Sequence, residues 1–239
     1  MNKIKILTAI ILLTVLASFK KDKVTKVYHA SWKTLNVPEP SDITLAPGNS
    51  SYYVVSDDAA AVFEIDVQGK ILRTSKVLGI ELEAVCARPD YLYVVDETPR
   101  KVYQLSHGDL DVLRTFSVPY SGGRNKGYEA MTYNEEKKCF VLITERDPIY
   151  IHEFDHDFRQ INEYRWNSAR DISSATYLDG FIYLLSDEDM TVFKCNPKNY
   201  QVVDKWKIDV HNPEGIVFHN NLMLIISDDL ERLYFFNKP

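Results

Sequence analysis

No stripe or cluster of Lys and Arg long enough to serve as a nucleic-acid surface occurs in this 239-residue sequence, whose formal net charge is −6. Low-complexity stretches and obvious linkers are missing too, so nothing divides the chain into separate domains. Cysteine is scarce. Cys86, Cys139 and Cys195 are far apart and form no CxxC, which argues against a disulfide framework or a thiolate metal site; one pair could bridge, but three small buried hydrophobes is the preferred reading. The motifs G-x-S-x-G, HExxH, the EF-hand loop, GxGxxG and GxxxxGK[ST] are all absent.

Aromatic residues, by contrast, make up 12 % of the chain and Tyr occurs 15 times, a composition that suits a folded all-β protein and argues against disorder. The first residues, MNKIKILTAIILLTVLASF, place Lys3 and Lys5 before an apolar run from Ile6 to Leu16 and then Ala17 and Ser18. That layout predicts a signal peptide over 1–18, with one folded domain over 24–239 and no membrane span once the leader is removed. Its loss removes two lysines and takes the net charge to −8. The competing reading is an uncleaved N-terminal tether. A lipid anchor is not expected, because Phe19 stands where the acylated Cys would be.

Five segments share one plan, each opening on an acid: Asp42, Glu83, Glu129, Asp171 and Glu214, at spacings of 41, 46, 42 and 43 residues. Each then parses as four short strands, of which the second is the most apolar (YYVVS, YLYVV, CFVLI, FIYLL, LMLII) and the third alternates (AVFEID, KVYQL, YIHEF, TVFKC, RLYFF). Four strands in 40–45 residues is the signature of a β-propeller blade. The fifth repeat lacks its last strand, and residues 27–35 form a lone strand-like segment ahead of the first repeat. The expectation is therefore all-β: a five-bladed β-propeller of four antiparallel strands per blade, closed by the N-terminal strand completing the last blade. Strand aromatics such as Tyr52, Tyr93, Phe140, Tyr183 and Tyr234 read as inter-blade packing, and Trp32, Trp166 and Trp206 as caps of the blade edges.

Propeller topology puts the repeat acids and a second set between strands two and three (Asp57, Asp96, Glu145, Asp187 and Asp228) at one mouth of the central channel. So much like charge needs an offset. Three remain open: a hard divalent cation such as Ca²⁺, pairing with Arg100, Arg124, Arg146, Arg170 and Arg232 in the same loops, or a cationic or metal-chelated ligand. Other candidates carry less. His152 and His156 belong to a turn on the opposite face, His211 precedes Glu214 and is a general-base candidate, and PYSGGRNKGYE (119–129) reads as a flap with Arg124 and Lys126 as anion contacts.

The motifs SDITL, ELEAV, KGYEAM, ARDISSATYL, LLSDEDM and NPEGI…SDDLERLYFF resemble the SdiA-regulated family of bacterial envelope proteins, which includes a calcium-regulated β-propeller group. The resemblance covers Val24 to the end. It implies a propeller fold and a periplasmic or secreted location, brings no catalytic set, and makes Asp42, Glu83, Glu129, Asp171 and Glu214 the metal-ligand candidates for Ca²⁺; no organic cofactor is expected. The expected function is a propeller that binds a small molecule or envelope protein at an acidic channel mouth. The alternative is a metal-dependent small-molecule hydrolase of lactonase or phosphoesterase type.

Overall fold

The computed structural model describes residues 24–120 and 127–239. The leader over 1–18 and the flap residues Arg124 and Lys126 lie outside the described residues. Among those that are described, no helix is long and apolar enough to cross a membrane.

The chain forms five small sheets. The first comprises β3 (Pro40–Leu45), β4 (Ser51–Ser56), β5 (Ala61–Asp66) and β6 (Ile71–Thr74). The second holds β7 (Leu82–Ala87), β8 (Leu92–Asp96), β9 (Lys101–Leu105) and β10 (Val112–Ser117), and the third β11 (Tyr128–Asn134), β12 (Cys139–Thr144), β13 (Ile149–Phe154) and β14 (Gln160–Trp166). In the fourth are β15 (Ser174–Leu178), β16 (Phe181–Ser186), β17 (Thr191–Cys195) and β18 (Val202–Lys207), joined by β1 (Thr25–Lys26). The fifth consists of β19 (Pro213–His219), β20 (Leu222–Ser227), β21 (Arg232–Asn237) and β2 (Ser31–Thr34). The inner strands touch in the cyclic order β3, β7, β11, β15, β19 and back to β3, which makes a propeller-like ring.

Two parts of the sequence-based architecture need correction. No sheet closes or curls on itself. The five remain separate open sheets, and side-chain packing between them, rather than a closing strand, makes the ring. Nor are all blades four-stranded and antiparallel, because β1 adds to β18 in parallel, pairing Thr25 with Trp206 and Lys26 with Lys207. The segment expected to be one strand over 27–35 is thus divided. Residues before Ala30 follow the edge of the fourth sheet, and Ser31–Thr34 lie antiparallel to β21 with Ser31 opposite Phe235 and Thr34 opposite Arg232. The physical reason is the open edge of β18, whose unpaired carbonyls take up the chain: the Val27 N–H donates to Lys207 O at 2.8 Å.

Five hydrophobic clusters fill the five gaps between neighbouring sheets. Tyr52 and Phe63 pack between the fifth and first sheets, Tyr103 between the first and second, and Tyr93 and Phe140 between the second and third. Phe193 lies between the third and fourth, and Tyr183 and Tyr234 between the fourth and fifth. Cys86, Cys139 and Cys195 are free thiols buried within these clusters. Trp166 and Trp206 are buried, whereas Trp32 stays 45 % exposed under the Arg232 guanidinium.

Near the axis the inner strands approach closely. A Cβ on Gly215 would meet the Ile43 backbone nitrogen at 2.9 Å and Ile226 Cγ1 at 2.7 Å, so the fifth and first sheets can touch only without that side chain. Gly108 has nothing within 4 Å of the same construction. Gly215→Ala is expected to lower stability by about 2 kcal/mol through overpacking, with Gly108→Ala close to neutral. Denaturant unfolding of both variants checks this, and equal stabilities would contradict so tight an axis.

Candidate functional site

Four of the five inner strands enter the ring through an irregularity in their ladders. The register shifts between Pro40 and Asp42, Leu82 and Ala84, Tyr128 and Ala130, and Pro213 and Gly215. The skipped residue in each case (Ser41, Glu83, Glu129, Glu214) is left without a ladder partner. In the fourth sheet Ser173 holds this place, its N–H donating to Leu185 O, which already faces Ser174. All five line one cavity of about 200 Å³ at the start of the inner strands. The residue after the end of each second strand forms another ring: Asp57, Glu97, Glu145, Asp187 and Asp228. Four of these line the cavity, and Glu97 is 97 % buried just behind it, accepting the Gly127 N–H.

One position further along each inner strand the side chains are Asp42, Ala84, Ala130, Ser174 and Gly215. Four are small, and the Asp42 side chain reaches across to fill the space they leave. Its carboxylate accepts the Val85 N–H at 2.9 Å and the Ser174 hydroxyl at 2.7 Å, while Ser174 Oγ accepts the Ile216 N–H at 3.1 Å. This network ties together four of the five sheets. Burial pushes the Asp42 carboxyl well above its usual range, against the lowering effect of these hydrogen bonds.

The structure therefore separates the five sequence-predicted ligands. Glu83, Glu129 and Glu214 converge at equivalent bulge positions. Asp171 lines the same cavity, but its carboxylate already accepts the Ser186 hydroxyl and the Asp187 and Glu188 N–H groups, holding the turn of the fourth sheet. Asp42 does not line the cavity. It is fully buried with both oxygens engaged. Asp96 is likewise buried, accepting the Ile80 and Glu81 N–H groups and the Tyr103 hydroxyl. Ser41, Ser173 and Glu81 fall outside the two sets of acids expected from the repeats, and Glu97 rather than Asp96 holds the second-ring position. Aligning the repeats on the apolar residues Ile43, Val85, Met131, Ala175 and Ile216 would have found the bulge ring, because these share one ladder position. His211 is exposed and does not line the cavity, and His152 is buried with its pKa lowered by that burial.

Among the described residues, ten carboxylates and one guanidinium line the cavity. That guanidinium, of Arg146, is committed to Glu145 at 3.0 Å and Glu188 at 2.9 Å on the rim. Glu83, Glu129 and Glu214 have no ion-pair partner among the described residues, and the titration behaviour reflects both burial and crowding. Burial, then Asp57 and Glu97, raise Glu83; burial, then Glu83 and Glu97, raise Glu129. Burial with Asp187, Asp228 and Asp171 nearby pushes Glu214 up to about 8, and burial with Glu39 pushes Asp228 up to about 6. Asp57, Glu81 and Glu83 each bring an oxygen within 4.8 Å of the other two, the spacing of a shared cation. Glu81 is held there by the turn around Asp96, which passes so close that a Cβ on Gly79 would overlap the Asp96 carboxylate. The Thr98 hydroxyl donates to Glu81 as well.

A propeller-like ring with a carboxylate-lined mouth and a possible metal-ligand cluster is the class these features define. The chain belongs to the SdiA-regulated family, whose model matches residues 24–237. That membership supports a periplasmic or secreted location in general terms. In fold the chain is similar to the crystal structure of a glutaminyl cyclase from Myxococcus xanthus, with a TM-score of 0.71 at 14 % identity over 88 % of this chain and 97 % of that one. It is also similar to virginiamycin B lyase from Staphylococcus aureus (TM-score 0.52, 12 % identity, 83 % of this chain and 66 % of that one). Hydrazine synthase of Kuenenia stuttgartiensis gives a TM-score of 0.52 at 13 % identity, over 82 % of this chain and 57 % of that one. At these identities the likeness is one of fold.

The raised carboxyls set the pH dependence of the cation-free protein. Folded, they keep protons that the unfolded chain has released, so their contribution to stability is full below the unfolded-state values and is lost as the pH rises through the folded ones, about 6 for Asp228 and about 8 for Glu214. In chelator, the melting temperature should fall between pH 5 and pH 8.5, and Glu214→Gln should flatten the upper part of that fall. A melting temperature that rises over this range would contradict the crowding of these acids.

Proposed function

We propose that this protein is a binding propeller of the bacterial cell envelope whose acidic cavity takes a hard divalent cation, Ca²⁺ foremost. The observation that carries the reading is the convergence of Asp57, Glu81 and Glu83 within 4.8 Å. All-oxygen donors suit a hard ion, and the irregular loop-and-bulge geometry suits the six to eight flexible ligands of Ca²⁺ better than the octahedron of Mg²⁺. Of the five ligands expected from sequence, Glu83 is retained as a direct candidate, and Glu129 and Glu214 as the neighbours that complete the negative field. Asp171 supports the turn, and Asp42 has no oxygen to spare. A bound ion offsets the burial and the repulsion that raise Glu83 and Glu129, so binding releases protons and links affinity to pH. Export would remove the leader near Ser18; N-terminal sequencing of the envelope fraction reads this out, and a chain that still begins at Met1 counts against it.

A second reading, catalysis at the same cavity, draws on Glu214. A carboxyl that titrates at about 8 is poised to give and take a proton near neutral pH, and an enzyme shares this fold. It differs from the binding reading in one respect: Glu214→Gln would abolish turnover of a substrate while leaving cation binding by Asp57, Glu81 and Glu83 in place.

Calcium is expected to raise the melting temperature by roughly 5–10 °C when it exceeds its Kd a hundredfold. Glu83→Gln and Asp57→Asn should lose that response. In chelator each should melt at or above the wild type, because it removes one of the crowded charges. Equal wild-type melting temperatures in chelator and in millimolar Ca²⁺ would defeat the cation site. Variants destabilised alike in both buffers would make these acids structural pins.

A further inference from the structure

Beside the acidic cavity lies a larger groove of about 680 Å³, with Arg146, Arg165, Trp166, Arg170 and Glu188 in its lining. Arg146 and Glu188 line both spaces, so the two share a wall. In that wall Glu188 is bracketed: Arg146 Nη1 lies 2.9 Å from one oxygen and Arg170 Nη1 3.4 Å from the other. Arg170 is further committed to Asp189 through Nε at 2.9 Å. Arg165 differs. It projects from β14 into the groove, is exposed, and has no side-chain hydrogen bond or ion pair among the described residues. Trp166 next to it is a fixed surface, since its indole N–H donates to Tyr200 O at 2.9 Å and its ring meets Phe193 edge-on at 5.5 Å.

Of the three guanidiniums in this groove, those of Arg146 and Arg170 are paired with Glu145, Glu188 and Asp189, so among the described residues Arg165 is the cation left to meet a ligand, with the acidic cavity across the shared wall. A plain anion placed here would face that cavity's charge, and a plain cation would leave Arg165 without a partner. A ligand carrying both charges satisfies both sides. The intervening wall means that its charges stand several bonds apart, as in a short peptide and unlike a single amino acid. The volume is also that of a small-ligand site.

We propose that the groove holds the carboxylate end of a zwitterionic ligand of short-peptide class, with Arg165 as the guanidinium that receives it and the ammonium end directed into the acidic cavity. This rests on the reading of that cavity as a cation site. Arg165 offers two parallel N–H donors to a carboxylate, which a neutral amide end cannot match. The groove thus supplies the ligand's orientation and the cavity its charge complement.

Calorimetric titration of the full chain with tetraglycine, tetraglycine amide and acetyl-tetraglycine tests the assignment, with Ca²⁺ titrated in parallel. Wild type should bind tetraglycine about tenfold more tightly than the amide. Arg165→Gln should bring tetraglycine down to the level of the amide and leave the Ca²⁺ response unchanged. Equal wild-type affinities for tetraglycine and its amide, an Arg165→Gln variant that binds tetraglycine like wild type, or no tetraglycine binding at all would each overturn the groove assignment while the calcium result stands on its own. Binding of acetyl-tetraglycine with no response to Ca²⁺ or to the amide would overturn the cation reading, and the zwitterion assignment with it.

Discussion

Carboxylates held together and away from water repel one another, and this constraint shapes the whole molecule. Five inner strands converge on an axis too narrow for five ordinary side chains, so one level of the ring carries Ala84, Ala130, Ser174 and Gly215 and admits a single large group, that of Asp42. The carboxylate of Asp42 is tolerated because a backbone N–H and a hydroxyl from other sheets reach it. One level further out the strands bulge, and the freed positions hold three glutamates that have no comparable donors. The same backbone geometry thus produces a satisfied acid at the centre and unsatisfied ones around the mouth. Protonation can relieve the second group at low pH, and a cation can do so at neutral pH.

The five inter-sheet clusters are what permit this arrangement. Buried apolar side chains from neighbouring sheets fill each gap, with Tyr93 tilted against Phe140 and Tyr183 against Phe218, so the scaffold does not depend on the mouth for its cohesion. An acidic cavity that weakens the protein locally can persist where the remaining core is so extensive. Strain or repulsion confined to one site, with the cost met elsewhere, is a familiar mark of a binding surface.

Much of the architecture was legible in the sequence because blade repeats impose a strong period on the apolar strands: the repeat count, the strand assignments and the inter-sheet role of Tyr93, Phe140 and Tyr234 all came from it. The N-terminal segment is less legible. Residues 25–27 follow the edge of β18, an edge that no pattern in their own sequence announces. The acids were legible as a set and misplaced by one or two residues in two blades. Asp42 was aligned with Glu83 because both are acidic, but a bulge skips one residue of the ladder and the equivalent of Glu83 is Ser41. One residue decides whether a side chain faces the cavity or the plug, and charge alone does not reveal it. Glu81 was missed for a different reason: it lies before the strand and is brought in by a turn wrapped around Asp96.

The central claim is that the mouth holds a cation through Asp57, Glu81 and Glu83. Crystals grown in millimolar Ca²⁺, with anomalous data collected at long wavelength, test it most directly. The account predicts one anomalous peak about 2.3–2.6 Å from oxygens of all three carboxylates. A map with no anomalous peak in the cavity, with these side chains paired to one another by shared protons instead, would contradict it.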